Sequence, residues 1–356
     1  MNTFFSCFPF RAVQAWLAAA LLVLPLGASE FKPGEVWLDT SGHPIQAHGG
    51  GVLVRGDTYY WYGEDKTLGN MNKTGISCYS STNLYDWKHV GVVLPKEAMP
   101  PQFQDRGVVE RPKVLYNART RKYLMWMHLD DRGYHAASAG VATADSPAGP
   151  FVFLRQIRPI QFDAGYKEAD PDRQKELGGT YRDMNLFLDS DGKAYAFYAS
   201  EGNATMYVVQ LNEDFTGPQT PTEQGRTWAR IRVGEFQEAP APFKYGNRYY
   251  LITSHCTGWA PNPASYAVAD RILGPWEVRG NPCVGADAQT TFRSQSTYVL
   301  PVVGKPGCFI FMADRWSSKS LQDSRYVWLP LILKPDGSFT LEWRDKWDLS
   351  VFDGKN

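Results

Sequence analysis

Five times along this chain a polar residue precedes a short apolar run, a turn and an aromatic-rich run, and that repeat narrows the possible folds sharply. The polar residues are His48, Glu110, Asp183, Glu238 and Gln295. The first unit continues through Gly49-Gly-Gly-Val-Leu-Val54, the turn Arg55-Gly56-Asp57 and Tyr59-Tyr-Trp-Tyr62. The others read Pro112-Lys-Val-Leu-Tyr116 then Tyr123-Leu-Met-Trp126, and Asn185-Leu-Phe-Leu188 then Tyr195-Ala-Phe-Tyr198. Ala241-Pro-Phe243 then Tyr249-Tyr-Leu-Ile252, and Thr297-Tyr-Val-Leu300 then Phe309-Ile-Phe-Met312, complete the set. Gly, Asn or Asp separates the runs of each pair, as hairpin turns require. A second, turn-punctuated strand pair follows each hairpin, for example around Ser146-Pro-Ala-Gly-Pro150 and Asp270-Arg-Ile-Leu-Gly-Pro-Trp276. Four strands per unit and five units predict an all-β, single-domain, five-bladed β-propeller. A β-sandwich or parallel β-helix fits this internal order less well. Glu35-Val-Trp-Leu38 is expected to add a strand that closes the ring against the last blade.

The N-terminus has a different character. Arg11 precedes an apolar run from Ala12 to Leu26, and the small residues Gly27, Ala28 and Ser29 follow. This order predicts a signal peptide over 1–29 and a secreted or periplasmic propeller over 30–356, with no membrane attachment after cleavage. Lys and Arg total 37 and Asp and Glu total 37, with no basic block, which argues against a nucleic-acid partner. A monomer is expected. Cys78, Cys256, Cys283 and Cys308 fit no metal knuckle, so disulfides and buried thiols are both open.

The spacing of the polar residues points to a site. From the polar residue to the aromatic strand is twelve residues for His48 to Tyr60, Asp183 to Tyr195 and Glu238 to Tyr250. It is thirteen for Glu110 to Tyr123 and fourteen for Gln295 to Phe309. Equivalent positions in equivalent blades form a ring around the axis, so all five should converge at one mouth of the central channel. Three crowded carboxylates cannot all ionise freely, and at least one pKa should rise. A raised acid beside a second carboxylate suits glycoside hydrolysis, and Tyr134, Trp259 and Trp316 can supply faces for a sugar. No cofactor or metal is expected; Asp65, Asp189 and Asp191 read as turn residues rather than calcium ligands.

Val108-Val-Glu-Arg-Pro-Lys-Val-Leu-Tyr-Asn117 and Gln237-Glu-Ala-Pro240 resemble motifs of glycoside hydrolase family 43. The run Trp37 to Gly51, with Tyr59-Tyr-Trp-Tyr-Gly-Glu64, resembles its exo-β-1,3-galactanase subgroup, which lacks the usual blade-one Asp base. The resemblance implies an inverting exo-hydrolase that releases galactose from β-1,3-galactan, a polysaccharide substrate. It implies Glu238 as general acid, Glu110 as pKa modulator and Gln295 as the group that positions the attacking water. Asp183 or Glu64 is the alternative base. A donor–activator separation of roughly 6.5–9.5 Å is expected for inversion. His48, Glu64, Tyr134, Asp183, Thr257, Trp259 and Trp316 are implied as substrate contacts. Competing readings are a β-galactosidase, an arabinofuranosidase or xylosidase, and a non-catalytic lectin-like propeller.

Overall fold

The computed structural model describes residue 1 and residues 29–70, 74–104, 107–162 and 179–354. The expected leader lies almost wholly outside the described residues. No helix among them is long and apolar enough to cross a membrane.

Among the described residues five antiparallel sheets follow one another in the predicted order. Blade one holds β1 (His48–Arg55), β2 (Thr58–Asp65), β3 (Gly75–Ser81) and β4 (Lys88–Pro95). Blade two holds β5 (Val108–Asn117), β6 (Lys122–Asp130), β7 (Ser138–Ala144) and β8 (Val152–Ile157). Blade three holds β9 (Met184–Leu188), β10 (Ala194–Ser200), β11 (Thr205–Gln210) and β12 (Trp228–Ile231). Blade four holds β13 (Gln237–Tyr245), β14 (Arg248–His255), β15 (Ser265–Ala269) and β16 (Glu277–Gly280). After β17 (Cys283–Val284) come β18 (Gln295–Pro301), β19 (Cys308–Arg315) and β20 (Arg325–Ile332) of blade five. This last blade has three strands where four are expected, because the chain beyond it turns away. Its β21 (Leu341–Glu342) pairs in parallel with β17 instead.

Strand alternation explains the packing. Neighbouring residues on β2 point to opposite faces: Trp61 packs toward blade five and Tyr62 toward blade two. The buried side chains accordingly sort into five clusters, one at each interface between consecutive blades, the fifth joining blade five to blade one. Ring closure is made slightly upstream of the expected segment. Phe31 and Trp347 exchange backbone hydrogen bonds of 2.7 and 3.1 Å, and the Gly34 N–H donates to the Tyr326 carbonyl at 2.7 Å. Phe31 stacks on Trp347 at 4.2 Å, and Trp37 packs on Trp61 and Trp328.

The innermost strands share a device at one end. Register shifts between His48 and Gly51, Glu110 and Lys113, Glu238 and Ala241, and Ser296 and Tyr298 mark β-bulges. Gly49, Arg111 and Ala239 take left-handed conformations there, with φ of 59°, 56° and 54°. A bulge bends its strand and re-aims the side chain beside it. All four lie at the same mouth of the channel. Among the described residues Cys78, Cys256 and Cys283 are free thiols, which answers for these three the question that spacing left open.

Candidate active site

Four of the five polar residues meet in one cavity of about 460 Å³: Glu110, Asp183, Glu238 and Gln295. Glu64, Tyr134, Trp259 and Trp316 also line it, as expected. Trp259 is 44% exposed and stands edge-on to Trp316 with ring centres 5.5 Å apart, forming an aromatic rim.

Two of the expected residues do not line the cavity. His48 is wholly buried, stacked on Tyr326 at 5.1 Å, and does not line the cavity. The reason lies in its bulge. Left-handed Gly49 leaves a gap that Glu64, the cross-strand partner of His48, fills; a side chain at Gly49 would meet Glu64 Oε1 at 2.3 Å. Burial, with Lys66 and Arg325 nearby, pushes the His48 pKa down to about 3, so the ring is neutral. Thr257 also stays out of the cavity. Its hydroxyl donates to the Ala260 carbonyl at 2.6 Å and accepts from Asn262 at 2.7 Å, shaping the loop that carries Trp259.

Arg111, which spacing did not single out, organises the centre. It is buried beneath the cavity. Its Nη2 donates to Gln295 Oε1 at 2.5 Å and pairs with Asp183 Oδ2 at 2.9 Å, while Nη1 donates to the Ser296 carbonyl. Its backbone N–H donates to Glu64 Oε1 at 3.0 Å, and Lys66 holds the other Glu64 oxygen at 2.8 Å. Arg111 stands before Pro112, a place that favours extended backbone, so nothing in the sequence signals its left-handed φ of 56°.

Glu238 is the raised acid. Burial, then the charge of Asp183, pushes its pKa up to about 8 against the opposing effect of Arg111 and a hydrogen bond from Gln295. Glu110 goes the other way. Burial would raise it, but the hydrogen bond and charge of His128, with Lys66 and Arg111, hold it at about 2. His128 Nδ1 lies 3.3 Å from Glu110, and its Nε2 lies 3.0 Å from Asp130. Burial disfavours charge on His128, yet these two carboxylates raise it to about 9. Tyr134 donates to Glu110 Oε1 at 3.0 Å. The neighbouring charge that most raises Glu238 is that of Asp183.

The expected gap between acid and water-activating group is also absent for the expected pair. Gln295 Nε2 donates directly to Glu238 Oε1 at 2.8 Å. Blades four and five are neighbours, so their leading residues touch. Blade two is two steps from blade four, as far as a five-membered ring allows, which sets Glu110 across the cavity from Glu238. Ligand-type atoms of Glu110, His128 and Asp183 lie within 4.8 Å of one another. Arg111 already pairs with Asp183 and a protonated His128 sits against Glu110, so this set does not fit a metal ion.

A propeller whose channel mouth gathers one protonated glutamic acid, an ionised one and an aromatic rim has the equipment of a glycoside hydrolase. The family model of glycosyl hydrolases family 43 matches residues 50–297, and the chain belongs to that inverting family. It is similar, at 41% identity and a TM-score of 0.81, to a solved family 43 β-1,3-galactosidase with galactodeoxynojirimycin, covering 90% of this chain and all of that one. An exo-β-1,3-galactanase from Clostridium thermocellum matches at 37% identity and a TM-score of 0.78, over 89% of this chain and 66% of its own. The Phanerochaete chrysosporium enzyme, solved with β-1,3-galactotriose, matches at 33% and 0.76, over 90% and 68%. This chain thus spans about two thirds of those two longer proteins. Comparison with curated proteins gives no match.

Proposed function

We infer that the protein is an exo-acting hydrolase that removes galactose from the non-reducing ends of β-1,3-galactan, with inversion. The observation that carries the catalytic part is Glu238, a carboxylic acid still protonated near neutral pH beside the Asp183 carboxyl group, in the cavity at the channel mouth. The substrate part rests on the similarity to β-1,3-galactan-cleaving enzymes at 33–41% identity.

In this reading the terminal galactose enters from the rim formed by Trp259, Trp316 and Tyr134 and stacks on them. Glu238 gives its proton to the leaving glycosidic oxygen. Asp183 helps keep that proton on Glu238 until it is needed, and Arg111 holds Asp183 in place. Buried side chains close the floor, so the chain end must lead. Exo action follows from that shape.

The test is hydrolysis of β-1,3-galactan followed by NMR during the first minutes. Galactose alone should be released, and its first-formed anomer should be α. Oligosaccharide products, a β first anomer, or no cleavage of either galactan or aryl β-galactosides would overturn the reading.

A further inference from the structure

We propose that Asp130 and Arg182 are positioning residues that hold residues 131–137 in a strained turn, so that the Tyr134 side chain stands on the cavity wall. This rests on the hydrolase reading above and deepens it, because there Tyr134 supplies a face for the terminal galactose. The loop joins β6 to β7, whose ladder ends at the pair Leu129–Ser138. Tyr134 and Ala137 have φ of 59° and 32°, in the left-handed region that a bulky L-residue rarely enters. Such a conformation persists only where the surroundings over-determine it.

Two side chains supply that hold. Asp130 is wholly buried. Its Oδ1 accepts from the backbone N–H of Asp131 at 3.1 Å and of Ala137 at 2.9 Å, tying both ends of the loop to one oxygen. Its Oδ2 lies 3.0 Å from His128 Nε2 and 3.7 Å from Arg182 Nε. Arg182 also donates from Nη2 to the Tyr134 carbonyl at 2.6 Å. Within the loop, the Tyr134 N–H donates to the Asp131 carbonyl at 3.1 Å. Both backbone groups of Tyr134 are therefore held, and its hydroxyl donates to Glu110 Oε1 at 3.0 Å. His128, placed by Asp130, lies 3.3 Å from the other oxygen of Glu110. Asp130 thus fixes Tyr134 from two sides, through the loop backbone and through the group its hydroxyl meets. Asp130 itself does not line the cavity, so its effect on a bound sugar passes through these neighbours.

The experiment measures kcat and KM on an aryl β-galactoside for Asp130→Ala, Arg182→Lys and Tyr134→Ala, and for each of the first two combined with the third. Circular dichroism checks folding, and hydrogen–deuterium exchange follows the amides of 131–137. Asp130→Ala should lower kcat/KM by up to about 10²-fold, mostly through KM, and speed exchange in that loop. Arg182→Lys keeps the charge beside Asp130 but loses the fork that spans Asp130 and the Tyr134 carbonyl, so KM should rise there too. In the Tyr134→Ala background neither substitution should raise KM further, because the side chain they position is gone. Should Asp130→Ala fail to fold, Arg182→Lys decides alone. A folded Arg182→Lys with unchanged KM would overturn the proposal. So would KM effects that persist in full without the Tyr134 side chain, which would mean a general structural role or direct contact of Arg182 with the sugar. If the unmodified protein cleaves neither galactan nor the aryl galactoside, the hydrolase reading fails, while loop exchange in the two variants still reports whether these residues hold 131–137.

Discussion

Glu238 must carry a proton when the glycosidic oxygen leaves, and its neighbours set the pH at which that proton is lost. A raised carboxylic acid is protonated below its pKa, so kcat/KM should fall as pH rises through about 8. Glu238→Gln removes the proton and should cost about 10²–10⁴ in kcat on the polysaccharide. Asp183→Asn removes the like charge while keeping the shape, so the alkaline limb should move to lower pH. A pH–rate profile of that variant checks it, and an unmoved limb would assign the rise in Glu238 to burial alone. At this scale the residue types were legible. Glu110, Asp183, Glu238 and Gln295 were marked by a spacing of twelve to fourteen residues repeated in successive blades. His48 shared that spacing and still fell outside the cavity, because a glycine beside it lets Glu64 take its place. Arg111 had no periodic mark at all; a side chain that reaches under its neighbours leaves no pattern in its own strand.

The elements that aim these groups are the bulged starts of the inner strands. The bulges of β5, β13 and β18 accompany the leading residues Glu110, Glu238 and Gln295 that face the cavity, and close backbone packing beside the inner strands leaves no room for added atoms. Gly63 on β2 lies against the Ala47 backbone, where a Cβ would come within 2.0 Å of the Ala47 carbonyl carbon. No side-chain movement can relieve a clash with backbone. Gly63→Ala should therefore destabilise the protein by at least about 1–3 kcal/mol and displace Glu64, its neighbour. Urea unfolding and galactoside KM together would show this, and unchanged values for both would contradict the account. Alternation and turn residues made the strands readable. The bulges were not, since a bulge is a mismatch between two strands and is written in neither alone.

Across the whole molecule, stability depends on closing the ring. Five interface cores form only when blade five meets blade one, and the N-terminal segment seals that seam. Phe31 is 2% exposed and packs among Trp37, Tyr85, Trp328 and Trp347. Phe31→Ala should cost about 3–5 kcal/mol, read as a lowered urea midpoint, with the alkaline limb of activity unmoved because the site lies at the channel mouth. A loss near zero would mean that the seam holds without this residue. By itself the sequence determined the blade count, the strand order and the ring of candidate side chains, because strand alternation and turn chemistry are local and repeat with each unit. Only the tertiary structure decided which carboxylate raises Glu238, that Gln295 touches it, and that Arg111 joins them. Those are distances between different blades, set by how five sheets pack around an axis.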